Sequence, residues 1–112
     1  MNIQIYSGKK NFDTQKAERY FKERRIPVQM MDLKKHPLGE REIRLMIRNV
    51  GMEQVIDRED KRVREHPACY CDQEDVLVAA IQEAPWLLKT PMVRNGNRIT
   101  AGYHPEVWET WT

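Results

Sequence analysis

The segment Tyr6-Ser-Gly-Lys-Lys-Asn-Phe-Asp-Thr-Gln-Lys-Ala17 carries the chain from a predicted strand into a predicted helix. Residues 2–6 alternate apolar and polar side chains, a period of two that is typical of a short strand. From Phe12 to about Arg25 the apolar residues recur at helical spacing, and Asn11 or Asp13 would cap the first turn. The opening therefore predicts a strand, a polar loop and an amphipathic helix in that order.

The next elements extend this opening into a β-α-β unit followed by a second helix. Ile26-Pro27 breaks the first helix, and Val28-Gln-Met-Met-Asp-Leu33 predicts a second strand. Because a helix joins the two strands, we expect them to be parallel. One apolar face then marks a helix that ends before Gly51, formed by Ile43, Met46, Ile47 and Val50.

The second half of the chain predicts a helix, a hairpin and a last helix. Residues 53–73 have weak periodicity, which indicates one short helix and an irregular loop. Asp72 and Asp75 indicate the start of a further helix, and Asn95-Gly96 is the predicted hairpin turn. Pro105 suits the first position of the last helix. The inward face of the helix after Asp75 is predicted to consist of Leu77, Ala80, Ile81 and Ala84.

This element order predicts an α/β fold of thioredoxin-like type, a small mixed sheet with helices on its faces. At 112 residues the chain fits one domain, residues 1–112. Its apolar runs are far shorter than the roughly 20 residues that cross a bilayer, and no signal segment is recognised at its start. The net charge of +2 is too balanced to indicate nucleic-acid binding. We expect a cytoplasmic protein without nucleic-acid or membrane partners.

Three motifs resemble those of arsenate reductases of the glutaredoxin-coupled type and of the related Spx regulators. The segment from Tyr6 to Ala17 resembles the family's opening, in which a cysteine stands where this chain has Asn11. Leu87-Leu-Lys-Thr-Pro-Met-Val93 resembles the segment with a proline expected to be cis, and Gly102-Tyr-His-Pro-Glu106 resembles the turn before the last helix. Their order and spacing extend the resemblance over nearly the whole chain.

The resemblance implies a chemistry whose key groups are changed in this chain. In those reductases a cysteine thiolate attacks the oxyanion, arginines hold its charge, and glutathione and glutaredoxin regenerate the enzyme. Asn11 cannot form a thiolate, Thr90 stands where an arginine precedes the proline, and the final turn at residues 101–104 has no arginine. We therefore expect no ordinary arsenate reduction, and whether the chain is an enzyme stays open.

The loop before the first helix is the candidate binding site. Lys9, Lys10, Asn11 and Thr14 offer donors for a small anion or a glutathione carboxylate, and Thr90-Pro91 fits the position that meets a thiol substrate in related folds. The alternatives are a capped helix beside solvated lysines and a purely structural cis turn. No resident cofactor is expected, and glutathione is considered only as a ligand or co-substrate.

Cys69-Tyr-Cys71 is the only thiol pair in the sequence. A disulfide between residues two apart would need a strained loop and would be easily reduced. His66 adds a His-x2-Cys-x-Cys spacing, but no fourth ligand stands at a standard zinc distance, and no metal is predicted. Ordinary cysteines, a redox sensor and a metal site therefore remain as alternatives, in that order.

Protein contact is a second class of function that the resemblance implies. Spx-like regulators bind the C-terminal domain of the RNA polymerase α subunit, and Gly51 lies near the region that such proteins use. Arg44 and Arg48 lie on the helix that ends there, although basic residues on exposed helices are common. The three tryptophans are expected at the edges of the core rather than on a binding surface, namely Trp86, Trp108 and Trp111.

Overall fold

The computed structural model describes residues 1–111. It contains four strands and five α-helices, and three short 3-10 turns follow α3, α4 and α5 at 67–70, 85–87 and 109–111. The strands are β1 (Ile3–Ser7), β2 (Val28–Asp32), β3 (Met92–Asn95) and β4 (Arg98–Ala101). The helices are α1 (Phe12–Glu23), α2 (Glu40–Val50), α3 (Lys61–Arg64), α4 (Glu74–Glu83) and α5 (Pro105–Trp108).

The four strands form one mixed sheet in the order β2-β1-β3-β4. β1 and β2 run parallel, as the β-α-β prediction requires, whereas β3 is antiparallel to both β1 and β4. Helices lie on both faces of the sheet, which confirms the predicted α/β class. Since β1 and β3 occupy the centre, the ends of these two strands bring distant parts of the chain together.

Alternation along the central strands divides the core between the two faces of the sheet. Ile3, Ile5 and Val93 face α1 and α5, where Phe21 and Trp108 complete a buried cluster. Tyr6 and Met92 belong to the larger cluster on the opposite face, which α2 and α4 cover. Trp108 is only 1% exposed and its indole N–H donates to Thr100 Oγ1 at 2.8 Å, so its predicted place at the core edge is wrong.

Two local predictions need correction. The hairpin turn consists of Gly96 and Asn97 rather than Asn95 and Gly96, because Asn95 pairs with Arg98 and only Gly96 has a positive φ, +63°. A glycine with positive φ at the first central position is typical of a type II′ turn. Helix α4 begins after Gln73, whose side chain makes no capping bond, so Asp72 is not its cap.

The remaining boundaries follow the sequence pattern closely. Helix α1 ends at Glu23, two residues before the predicted end, and Asn11 is its N-cap. Residues 53–73 hold one short α-helix, as predicted, together with a 3-10 turn at Pro67–Tyr70. Among residues 1–111, no helix has the length and apolar character needed to cross a membrane.

A side chain of α2 covers part of the exposed edge of the sheet. Asn49 donates its amide to Asn97 O at 3.0 Å and accepts from Ile99 N at 3.1 Å. Because β4 is an edge strand, these groups would otherwise lack a neighbouring strand on that side. Asn49 thus joins α2 to the edge of β4.

Candidate functional site

Asn11 connects the first helix to the loop before β3. Its Oδ1 accepts from Thr14 N at 2.7 Å, the N-cap geometry that the sequence predicts. Its Nδ2 donates to Thr90 Oγ1 at 3.0 Å and to Thr90 O at 3.2 Å. The Thr90–Pro91 peptide bond is cis, as the resemblance implies. The Asn11 amide therefore uses both its donor and its acceptor groups within the protein.

Thr14 provides a buried and unpaired polar atom at this corner. Its hydroxyl is buried, and Thr14 Oγ1 has no hydrogen-bond partner among residues 1–111. Thr14 is 7% exposed and Thr90 is 9% exposed, so both hydroxyl side chains lie beneath the surface. An unsatisfied buried hydroxyl costs free energy, which an enclosed water molecule would recover by bonding to it.

The two predicted binding lysines differ in their surroundings. Lys9 Nζ forms an ion pair with Asp60 and lies 3.7 Å from the Asp57 carboxylate. Lys10 is exposed and has no ion pair in the described part of the chain. Any charge that this corner offers to an anion therefore comes from Lys10 more than from Lys9.

A cleft of about 600 Å³ opens beside this corner. Gly8, which follows β1, and Thr90, in the loop before β3, both line it. Its apolar lining is formed by Leu33, Pro85, Trp86 and Leu88. Its charged lining is formed by Lys9, Lys34, Asp60 and Arg62. The cleft thus combines an apolar floor with a predominantly cationic rim.

Trp86 is held in place within this cleft by two neighbours. The Arg62 guanidinium lies 3.8 Å from the ring centroid, and the His66 ring meets the indole edge-on at 5.6 Å. His66 Nδ1 accepts from Ala68 N at 3.0 Å, which makes this histidine the cap of a 3-10 turn. In residues 1–111 no group of three or more potential metal-ligating side chains comes together.

Cys69 lies in the 3-10 turn at Pro67–Tyr70, Cys71 follows that turn, and the two are not joined by a disulfide. Arg58 Nη1 donates to Cys69 O at 2.7 Å and lies 3.2 Å from Cys69 Sγ, while Cys69 is only 5% exposed. Cys71 is half-buried and its Sγ accepts from Gln73 N at 3.4 Å. A second cleft of about 550 Å³ is lined by both cysteines and by Arg58.

The sequence reasoning missed a polar network on the α2 side of the sheet. Tyr6 donates to Glu42 Oε2 at 2.6 Å, Arg94 Nη1 lies 3.3 Å from the Tyr6 hydroxyl, and His36 lies 3.3 Å from Glu42. Burial and the bond to Glu42 raise the pKa of Tyr6 to about 12. Burial opposes ionisation of Glu42, but hydrogen bonds from Tyr6, Gly39 N and His36 outweigh it and lower its pKa.

A sequence signal existed for only one part of this network. Glu42 follows Gly39 by three residues, the spacing at which a helical glutamate reaches back to the amide before the first turn. Gly39 N does donate to Glu42 Oε1 at 3.0 Å. Tyr6 and Arg94 are separated by 88 positions, so only the strand pairing brings them together.

The arginines of α2 differ in whether a carboxylate neutralises them. Arg44 contacts Glu40, Glu74 and Asp75 at 2.5–2.8 Å, and these carboxylates raise its pKa further. Arg48 is exposed without an ion pair in the described residues. Gly51 is exposed at the helix end with φ +87°, and no atom lies within 4 Å of the position that a Cβ would take.

This chain is similar to known proteins in sequence and in structure. The ArsC family model matches residues 6–111. Similar solved structures include an ArsC family related protein from Bacteroides fragilis, with a TM-score of 0.82, 18% identity and 100% of each chain covered. An arsenate reductase from Vibrio cholerae has a TM-score of 0.80 and 19% identity over 96% of this chain and 94% of that one.

A third similar structure is an arsenate reductase (ArsC) related protein from Brucella melitensis. It has a TM-score of 0.72 and 21% identity over 99% of this chain and 94% of that one. No curated protein sequence matches the chain. At these identities the solved structures show the fold, and the activity has to be argued from the chain's own residues.

Proposed function

Because this chain belongs to the ArsC family, we propose that it is a member without ordinary arsenate reductase activity, in which Asn11 replaces the nucleophilic cysteine. The observation that carries the proposal is the position of the Asn11 amide, at the N-terminus of α1 and bonded to the residue before a cis proline. An amide nitrogen is not a nucleophile that attacks an oxyanion, and no thiol lies in residues 1–68.

We further propose that the corner retains binding of a small anion or of glutathione. Lys10 supplies an unpaired cation and the first turn of α1 supplies backbone N–H groups, while the unpaired Thr14 hydroxyl lies buried beneath them. Thr90 and Pro91 would border the ligand. Lys9 contributes less than expected because Asp57 and Asp60 already neutralise it.

The catalytic half of this proposal is tested by a turnover assay. Purified protein is supplied with arsenate, glutathione, glutaredoxin and a system that reports glutathione oxidation, and we expect no rate above background. Asn11→Cys is expected to show low activity at best, since Thr90 and the final turn supply no arginine to stabilise the developing charge. Asn11→Ser is the matched control. Glutaredoxin-dependent reduction by the unaltered chain would overturn the proposal.

The binding half is tested by titrating isotope-labelled protein with glutathione, arsenate and sulfate. Saturable amide shifts confined to residues 9–14 and 90–92 are expected. Lys10→Gln should weaken sulfate binding, whereas Lys22→Gln, which removes an exposed charge from the far end of α1, should not. If the amide signals of both segments do not shift, the binding proposal is rejected and the turnover result is unaffected.

A redox sensor is a second candidate, favoured by the Arg58 guanidinium beside Cys69 Sγ and by the cleft that both cysteines line. One thiol would react with a hydroperoxide to give a sulfenic acid and the corresponding alcohol or water. The second thiol would then displace water to form the disulfide. Two fewer titratable thiols after peroxide treatment, restored by reductant, would support this role. An equal number of titratable thiols after peroxide treatment and in reductant would reject the redox-sensor role.

The third candidate is protein contact of the Spx-like kind, with the RNA polymerase α subunit as the partner. The open surface around Gly51 and the unpaired Arg48 favour it, whereas the neutralised Arg44 does not. The unaltered protein should bind the purified C-terminal domain of the RNA polymerase α subunit, and the Gly51→Arg variant should not. Gly51→Ala is the control, because it imposes the same backbone strain without a large side chain. No association under reducing or oxidising conditions would reject this candidate.

A further inference from the structure

We propose that the cleft beside Trp86 binds an organic anion with a flat apolar body, such as an aryl carboxylate. Such a ligand would contact both the apolar floor and the cationic rim of the cleft. This distinguishes it from an inorganic oxyanion and from a peptide thiol. The proposal does not depend on anion binding at the Lys10–Thr14 corner, because its residues lie mainly in the loops at 33–34, 60–62 and 85–88.

The charge of the rim selects an anion. Three cations and one carboxylate line the cleft, and the carboxylate of Asp60 is already paired with Lys9. Lys34 and Arg62 are exposed, and neither has a carboxylate within ion-pair distance among the described residues. Two uncompensated positive charges at the mouth of one cleft attract an anionic group.

The floor selects a flat apolar body. Leu33 and Leu88 are buried beneath the cleft, at 7% and 1% exposure, and Pro85 and Trp86 are half-buried in its wall. The Arg62 guanidinium and the His66 ring contact the indole from two directions, and both contacts favour the orientation that it has here. A preformed apolar wall with a few polar groups at its rim is the usual design of a small-molecule site.

Size and composition together set the ligand class. A volume of about 600 Å³ lies within the range of small-molecule sites and far exceeds what an inorganic oxyanion needs. An inorganic anion would leave the apolar floor unused, and a neutral arene would leave Lys34 and Arg62 unpaired. Only an apolar anion uses both features.

The proposal is tested with 2-naphthoate as the probe, followed by amide and indole N–H signals of labelled protein. We expect saturable shifts at residues 33–34 and 86–88, with the Trp86 indole signal assigned from Trp86→Phe. The neutral analogue 2-naphthamide should bind at least about fivefold more weakly, since it lacks the charge that Arg62 and Lys34 meet. Acetate, which lacks the apolar body, should give no saturation in the same range.

Two variants make the test specific. Arg62→Gln should weaken 2-naphthoate roughly three- to tenfold and leave 2-naphthamide unchanged, because an exposed cation contributes modestly. Arg98→Gln removes an equally exposed arginine at the hairpin, at the opposite end of the sheet, and should change neither affinity.

Equal binding of the acid and the amide, shifts outside the cleft, or no effect of Arg62→Gln would each overturn the proposal. Sulfate or glutathione shifts at 9–14 without naphthoate shifts at 33–34 and 86–88 would retain the proposed function and reject this inference. The reverse pattern would retain this inference alone.

Discussion

At the scale of single residues, Asn11 has a structural role that a cysteine could not fill. A thiol is a weak donor and acceptor, whereas the Asn11 amide accepts from Thr14 N and donates twice to Thr90. The side chain thus joins the start of α1 to the cis Thr90–Pro91 bond. The same residue that removes the nucleophile therefore stabilises the corner.

Replacement of Asn11 by alanine should lower the free energy of unfolding by about 1–3 kcal/mol, from the lost cap and the unmet bonds to Thr90. Asn11→Asp retains an oxygen for Thr14 N but loses both donors, so its loss should be smaller than that of Asn11→Ala. Urea unfolding of the three proteins measures this order. An Asn11→Ala variant as stable as the parent would mean that these bonds contribute nothing net.

The Tyr6 hydroxyl should ionise at a pH well above the usual tyrosine pKa. Its pKa is raised to about 12 by burial and by the bond to Glu42. We expect the ultraviolet tyrosinate signal to show one late ionisation that is absent from Tyr6→Phe. In that variant the Glu42 carboxyl loses one of the bonds that lower its pKa, so carbon-detected titration should find the Glu42 pKa higher than in the parent.

At the scale of elements, the residue at the end of a helix has to suit the backbone conformation that ends it. Helix α2 ends at Gly51, whose φ of +87° is a conformation that glycine adopts without steric cost. Gly51 N donates to Ile47 O at 2.7 Å, which closes the last turn. The glycine therefore ends the helix and turns the chain toward the loop that forms the wall of both clefts.

Gly51→Ala should cost about 1–3 kcal/mol of unfolding free energy, because φ +87° with ψ 158° is a backbone region that is nearly restricted to glycine. No atom lies within 4 Å of the added Cβ, so the whole cost is backbone strain. Gly8→Ala is the comparison, because its Cβ would meet Leu33 Cδ1 at an ordinary 3.5 Å and its φ lies outside the left-handed region. Thermal unfolding should find Gly51→Ala the less stable of the two. The opposite order would contradict the strain argument.

At the scale of the whole molecule, the buried Tyr6–Glu42 pair lies on one side of the sheet only. The face under α1 and α5 is filled by aromatic and aliphatic side chains, with Trp108 packed against Tyr20 and Phe21. The opposite face combines its apolar cluster with the Tyr6–Glu42 pair. Titration of this pair therefore acts on the folding equilibrium of the domain through contacts on that side of the sheet.

The free energy of unfolding should fall at low pH and also at high pH, for two different reasons. The Glu42 pKa is lowered in the folded state, so its contribution is present above the ordinary carboxyl pKa and lost as pH falls below it. The Tyr6 pKa is raised from 10.0 to about 12, so its contribution is complete below pH 10 and lost as pH rises toward 12. The urea midpoint of the parent should fall relative to that of Tyr6→Phe as pH rises from 10 toward 12. A constant difference between them would contradict this linkage.

The sequence predicted the features that depend on neighbours along the chain. The strand and helix types, the Asn11 cap and the end of α2 at Gly51 all follow from patterns within a few residues. The hairpin turn was predicted one residue early, because Asn95 and Asn97 both flank Gly96 and only the pairing of Asn95 with Arg98 decides between them.

The candidate site, in contrast, is formed by contacts between residues that are far apart in the sequence, and no local pattern predicts such contacts. Asn11 and Thr90 are 79 positions apart, and Lys9 and Asp60 are 51 apart. The sequence therefore indicated the helix corner but not that Lys9 is neutralised, and it gave no sign that Trp86 and Arg62 line a cleft beside that corner. Such features become visible only when the sheet brings the loops together.

The bonds from Asn49 to the edge of β4 bear on how copies of this chain meet one another. An uncovered edge strand is a template on which another polypeptide can add a strand and begin aggregation. Asn49 occupies Asn97 O and Ile99 N, two of the groups that such a strand would use. A side chain from a neighbouring helix thus helps to keep the protein from growing into larger assemblies along that edge.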